Sequence, residues 1–190
     1  GAGLHSATSH ARGHAPALPA PAFGPSRHAK ARNIIFMVAD GMSTGTFTLA
    51  HTASMIERHK PGTWYSLLSR SGVKRALMNT ASASGLVTDS AAGGSAWGCG
   101  LHILNGCINV APDGRQTMPI LLRAAQAGKA TGLVTTTRVT HATPASFLTN
   151  SPSRDLEDLI AAQMVQRGCN VVLGGGSAHV TDALLATLKT

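Results

Sequence analysis

Short apolar runs separated by helix-length stretches constrain this chain more than any other feature. Residues 33–39, NIIFMVA, form a continuous apolar run that stops at Asp40-Gly41, as a strand buried on both faces should. Residues 129–137, KATGLVTTT, are rich in β-branched side chains, and residues 169–176, CNVVLGGG, end in a glycine turn. Both read as strands, and GVKRALMNT at 72–80 reads as a weaker one. Between them the spacing predicts helices over 43–58, 90–98, 118–127 and 155–167. In the last, Leu156, Leu159, Ile160 and Met164 fall at helical spacing, while Asp155 and Glu157 suit a helix start. Pro119 fits a first turn and Gly128 a helix end. Strands alternating with helices imply an α/β fold with a mostly parallel sheet covered on both faces.

At 190 residues and 43% apolar, the chain is long enough for one core. No run approaches the roughly 20 apolar residues that span a bilayer, so no transmembrane segment is expected. The formal charge is +8, and Arg12, Arg27, Lys30 and Arg32 contribute half of it before any acid occurs. The rest is too diffuse for a nucleic-acid patch, and 4% aromatics make no base-stacking platform. A basic cleft for an anionic small molecule fits this distribution. Residues 1–30, rich in Ala, Pro, His and Gly, read as a disordered lead or linker without a signal peptide's apolar centre, and residues 31–190 as the folded part. Cys99, Cys107 and Cys169 match no CxxC or zinc-finger spacing and read as structural thiols, the alternative in an exported protein being one disulfide plus one free thiol.

In open parallel sheets, ligands bind beyond the carboxyl ends of the strands. Asp40 lies just past the first run, and His141 and Thr143 a little past the third. Asp40 is either a hard-metal ligand or a turn aspartate. His141 and Thr143 are either metal ligands or loop hydrogen-bonders. Ser90, in TDSAAGGSAWGCG, opens a predicted helix; either it or Asp89 could cap that helix. Alternatively Ser90 is a nucleophile, with Ala91, Ala92, Gly93 and Gly94 keeping its approach clear for an anion. The lipase-type G-x-S-x-G elbow is absent, so activation by metal suits it better than a histidine base. Arg154 could clamp an oxyanion through its planar fork, or be a solvated helix-start residue. LGGG at 173–176 lacks the Gly-Lys-Ser/Thr of a phosphate loop and reads as a turn.

Taken in order and spacing, NIIFMVADGMS, TDSAAGGSAWGCG, GLVTTTRVTHATPA, Arg154 and VVLGGG resemble the alkaline phosphatases. The resemblance implies a three-layer α/β/α sandwich and hydrolysis of phosphate monoesters through a phosphoserine. It implies two zinc ions and one magnesium, a homodimer in the full-length form, and a periplasmic or secreted location. By the same resemblance Ser90 matches the phosphorylated serine, Asp40 the carboxylate bridging zinc and magnesium, and Thr143 a magnesium ligand. Arg154 matches the arginine that grips phosphate, and His141 stands where members carry Asp or His beside the magnesium. A thiol occurs unpaired near the place of Cys99 in some members.

The resemblance also sets an expectation of incompleteness. Most zinc ligands of the family lie in later segments, and one carboxylate, one threonine and one histidine cannot cage two zinc ions. The expected sheet is therefore incomplete in this chain, most metal ligands are absent from it, and alone it is expected to be inactive. The readings set against a monoesterase are a phosphodiesterase or sulfatase-like hydrolase, and a non-catalytic anion-binding fragment.

Overall fold

The computed structural model describes residues 31–187, so the expected lead at 1–30 lies outside the described residues. The chain divides into two compact units, 1–38 and 39–190. In the first, described residues 31–38 form neither helix nor strand. This corrects the strand expected at 33–39: Ile34 and Ile35 are each 86% exposed. An extended apolar run becomes a strand only where another backbone supplies a regular ladder of hydrogen bonds, and residues 33–39 take part in no strand of the described residues. The run at 72–80 is likewise irregular, with Leu77 fully exposed.

The second unit carries the regular structure. Helix α1 (Thr44–Arg58) begins at Ser43, whose hydroxyl accepts from the Thr46 amide, and ends where His59 turns left-handed. A short α2 (Thr63–Leu68) follows, with Tyr65 stacked on His51 at 4.0 Å. Helix α3 (Ser90–Gly98) coincides with the predicted stretch, and α4 (Ile120–Gln126) runs from Pro119 to a positive-φ Gly128. Strand β1 (Gly132–Arg138) leads through α5 (Ala142–Ala145) and α6 (Glu157–Arg167) to β2 (Val171–Gly175), and α7 (Asp182–Ala186) closes the order. β1 and β2 are parallel, with Gly132 opposite Val171 and Val134 opposite Leu173. A parallel pair needs such a helical crossover, which identifies the unit as α/β.

Only one face of that pair is covered. Leu133 joins Ile160 and Met164 of α6, Ala91 of α3 and Ala142 and Ala145 of α5 in one buried cluster. Val134, pointing oppositely, is 75% exposed, because no described element packs there. Covering on both faces is thus not met among the described residues.

The small residues after Ser90 have a packing role that their sequence did not disclose. Ala91 to Ala96 are all buried, and so is Gly98. A Cβ at Gly94 would lie 2.6 Å from Ser146 Oγ, and one at Gly98 would overlap the Ser146 carbonyl oxygen. Gly94 and Gly98 let α3 approach the end of α5 backbone to backbone, a packing role separate from any approach to Ser90.

Asn109 locks this contact from the side. It is fully buried with φ +51°, and its amide group donates to the carbonyls of Ser146 (2.6 Å) and Thr149 (2.8 Å). Its backbone N–H reaches Ser95 Oγ at 2.9 Å, and its carbonyl accepts from Thr117 and Asn150. Asn109→Gly keeps the left-handed backbone and deletes the side-chain bonds, leaving buried carbonyls unpaired. A loss of about 2–4 kcal/mol in urea unfolding is expected; a loss below about 1 kcal/mol would mean the hub is not structural.

Candidate active site

Asp40 sits in a tight turn closed by the Met42 amide on the Ala39 carbonyl, and Gly41 takes φ +71°. That turn presents an exposed carboxylate. Its Oδ2 accepts from Thr143 Oγ1 at 2.8 Å, and its Oδ1 lies 3.5 Å from Ser90 Oγ. Four oxygens from positions 40, 90 and 143 thus share one locus. The second distance exceeds that of a strong hydroxyl bond, so Ser90 is held only loosely.

Asp89 settles which residue caps α3. Its Oδ1 accepts from the Ala92 amide at 2.9 Å, and its carbonyl from the Gly93 amide. Ser90 is the first helical residue, so its hydroxyl is spared capping. Asn105 Oδ1 takes the Asp89 amide. That leaves the amides of Ser90 and Ala91 as the unengaged pair at the positive end of the helix.

Arg154 is delivered by the loop before α6, with its own amide on the Gly106 carbonyl at 2.6 Å. Nη1 donates to Asp89 Oδ2 at 3.1 Å, and that same oxygen accepts from the Gly106 amide at 3.0 Å. Burial pushes the Asp89 carboxyl up, but the amides of Ala92 and Gly106 and the guanidinium outweigh it. The net position is below the ordinary value. Nη2 of Arg154 meets His141 Nε2 at 3.1 Å. A guanidinium only donates, so Nε2 accepts and the imidazole proton resides on Nδ1, which is buried without a partner. Burial, then Arg154, holds His141 below the usual histidine range, with Asp40 opposing. His141 is therefore neutral, and it stands at the N-terminus of α5 two residues before Thr143.

The structure brings Asp40, Ser90, His141, Thr143 and Arg154 together from four segments. Asn105 and Gly106 were not singled out by sequence. Their Asn-Gly pair signals a turn, but only the fold shows that it brackets Asp89. Cys107 lies beside them, its thiol on the Pro152 carbonyl at 3.1 Å and pushed up by burial and Asp89. All three thiols are free. Among the described residues no group of three or more His, Cys, Asp or Glu could hold a metal ion. No described helix is long and apolar enough to cross a membrane.

Residues 31–185 match the family model for alkaline phosphatase. The repressible alkaline phosphatase of Saccharomyces cerevisiae is 38% identical over 155 residues, covering 79% of this chain and 27% of the yeast protein. Alkaline phosphatase 4 of Bacillus subtilis is 31% identical, covering 80% and 34%. Among solved structures, Thermus thermophilus alkaline phosphatase superposes with a TM-score of 0.73 at 37% identity, over 80% of this chain and 33% of that one. The enzyme of the Antarctic bacterium TAB5 superposes at 0.63 with 33% identity, over 74% and 42%, and one of its variants holds magnesium in the M3 site. The chain therefore spans about a quarter to two-fifths of the length of these relatives.

Proposed function

Because this chain belongs to the alkaline phosphatase family, we propose that it supplies the nucleophile side of a site hydrolysing phosphate monoesters through a phosphoserine at Ser90. The observation that carries this reading is the meeting of Ser90, Asp40, Thr143, His141 and Arg154 at the start of α3. Ser90 Oγ attacks phosphorus in line with the leaving oxygen. The amides of Ser90 and Ala91 and the fork of Arg154 hold the equatorial oxygens, contributing position and charge stabilisation. Arg154 does so by turning Nη2 from His141 to the phosphate while Asp89 keeps Nη1. Water then releases phosphate from the serine. An exported homodimer belongs to the same reading.

The donor set fits one kind of ion and not another. Asp40 Oδ2 and Thr143 Oγ1 are hard oxygens 2.8 Å apart, and they suit one side of a magnesium-type site. The described residues do not make a zinc cage. Asp40 and Thr143 would hold a divalent cation from one side, and it would supply positive charge that lowers the pKa of nearby oxygens.

The test is an acid-quenched reaction of a family-length protein carrying this chain, with an aryl phosphate, zinc and magnesium. Peptide mass mapping is expected to find phosphate on Ser90. Phosphate on another residue, or steady turnover with no phosphoenzyme in a single-turnover experiment, would sink the assignment. Monoester rates are expected to exceed those for a diester or a sulfate ester, which separates this chemistry from that of diesterases and sulfatases.

A further inference from the structure

Glu157 is the first residue of α6, and an acid there is ordinarily explained by the helix dipole. Its neighbour Asp158 fits that explanation, with a side chain 90% exposed. Glu157 does not: its side chain is 14% exposed, and its oxygens are engaged by residues outside the helix. Arg138 Nε donates to Oε2 at 2.8 Å and Nη2 to Oε1 at 2.7 Å, a bidentate pair. Thr140, fully buried, donates its hydroxyl to Oε2 at 2.5 Å. His179 Nε2 lies 3.4 Å from the same oxygen, while its Nδ1 lies 2.8 Å from Asp158 Oδ1.

The segments so joined are the ones that deliver the site. Arg138 and Thr140 immediately precede His141 and Thr143. Glu157 follows Arg154 by three residues. One carboxylate therefore ties the end of β1 to the start of α6. We propose that Glu157 is a positioning residue for the phosphate site, setting the spacing between Thr143 with His141 on one segment and Arg154 on the other. The inference rests on the phosphate reading of Arg154 given above. The hydrogen bonds from Arg138, opposed by burial and reinforced by Thr140, hold the Glu157 carboxyl at about 2. The clamp is thus charged wherever a phosphatase would work.

The spacing has a spectroscopic reporter that needs no turnover. Arg154 donating to Nε2 keeps His141 in the Nδ1–H tautomer, which imidazole 15N shifts of the 190-residue chain report directly. In Glu157→Ala and Glu157→Gln, His141 is expected to move to a mixture of tautomers. The Kd for inorganic phosphate, titrated by NMR, is expected to rise about tenfold. Asp158→Asn should leave both unchanged, and melting curves confirm that each variant is folded at the temperature used. If Glu157→Ala does not fold, Glu157→Gln, which keeps an acceptor for Thr140, decides alone. A folded Glu157→Gln with the wild-type tautomer and wild-type phosphate affinity would overturn the proposal. Arg154→Ala keeps the two ideas apart: unaltered phosphate affinity there removes the phosphate reading, while the imidazole signal still decides the clamp.

Discussion

Ser90→Ala is expected to cost at least about a thousandfold in phosphate-monoester turnover, while changing unfolding free energy by no more than about 0.5 kcal/mol. Both halves follow from one geometric fact. Asp89 is the residue that caps α3, so the Ser90 hydroxyl has no structural duty beyond a 3.5 Å approach to Asp40. Had Ser90 been the cap, its loss would cost roughly 1 kcal/mol of stability. Asp89→Ala is expected to cost stability as well as turnover, because it deletes the cap and the Nη1 partner of Arg154 together. Turnover is measured on an aryl phosphate with a family-length protein carrying this chain, and stability by urea unfolding of the chain itself. A Ser90→Ala protein with undiminished turnover removes Ser90 as nucleophile. A large loss of stability in the same variant would make it a structural residue after all.

Gly98→Ala should be the most damaging single methyl in the fold. The added Cβ would overlap the Ser146 carbonyl oxygen, lie 2.8 Å from the Ser146 carbonyl carbon and 3.3 Å from Asn109 Oδ1. Backbone cannot rotate aside as a side chain can, so α3 must slide off α5. That movement strains the Asn109 bonds and parts Ala91 from Ala142 and Ala145 in the core. A cost of about 3 kcal/mol or more is expected, at the upper end for overpacking. Gly94→Ala provides the contrast, since its nearest obstacle is a side-chain atom, Ser146 Oγ at 2.6 Å. Adding Ser146→Ala should recover part of the Gly94→Ala loss and none of the Gly98→Ala loss. Equal rescue of both, read from urea midpoints, would show that the backbone contact at Ser146 does not limit the approach.

These glycines also govern chemistry at a distance. α3 carries Ser90 at its start, and α5 carries Thr143. The separation of the two helices therefore sets the separation of the two hydroxyls about Asp40. Asn109 fixes the same pair of helices through Ser95, Ser146 and Thr149. A fold defect here reaches the site before it reaches the global unfolding transition.

Several of these elements were legible beforehand, and the reasons differ. The helix at 90–98 announced itself through Asp89 and a run free of β-branching. The helix at 157–167 showed a period of apolar residues. Such signals act over one or two turns, so a local reading suffices. The strand expected at 33–39 did not form because apolar composition alone does not create a ladder, which needs a regularly paired neighbouring backbone. The small residues of α3 show a related limit. A glycine records that something comes close, without recording whether that something is a ligand or another helix.

By itself, then, the order of residues determined the alternation of helices with strands and the candidates for capping and for chemistry, because each depends on neighbours a few positions apart. Only the tertiary structure decided that positions 40, 90 and 143 meet, that Arg154 rests between Asp89 and His141, and that Glu157 joins the segments holding them. Those arrangements depend on which backbones can approach, and the contact of Gly98 with Ser146 is set by volume and hydrogen bonding between positions 48 apart in the chain.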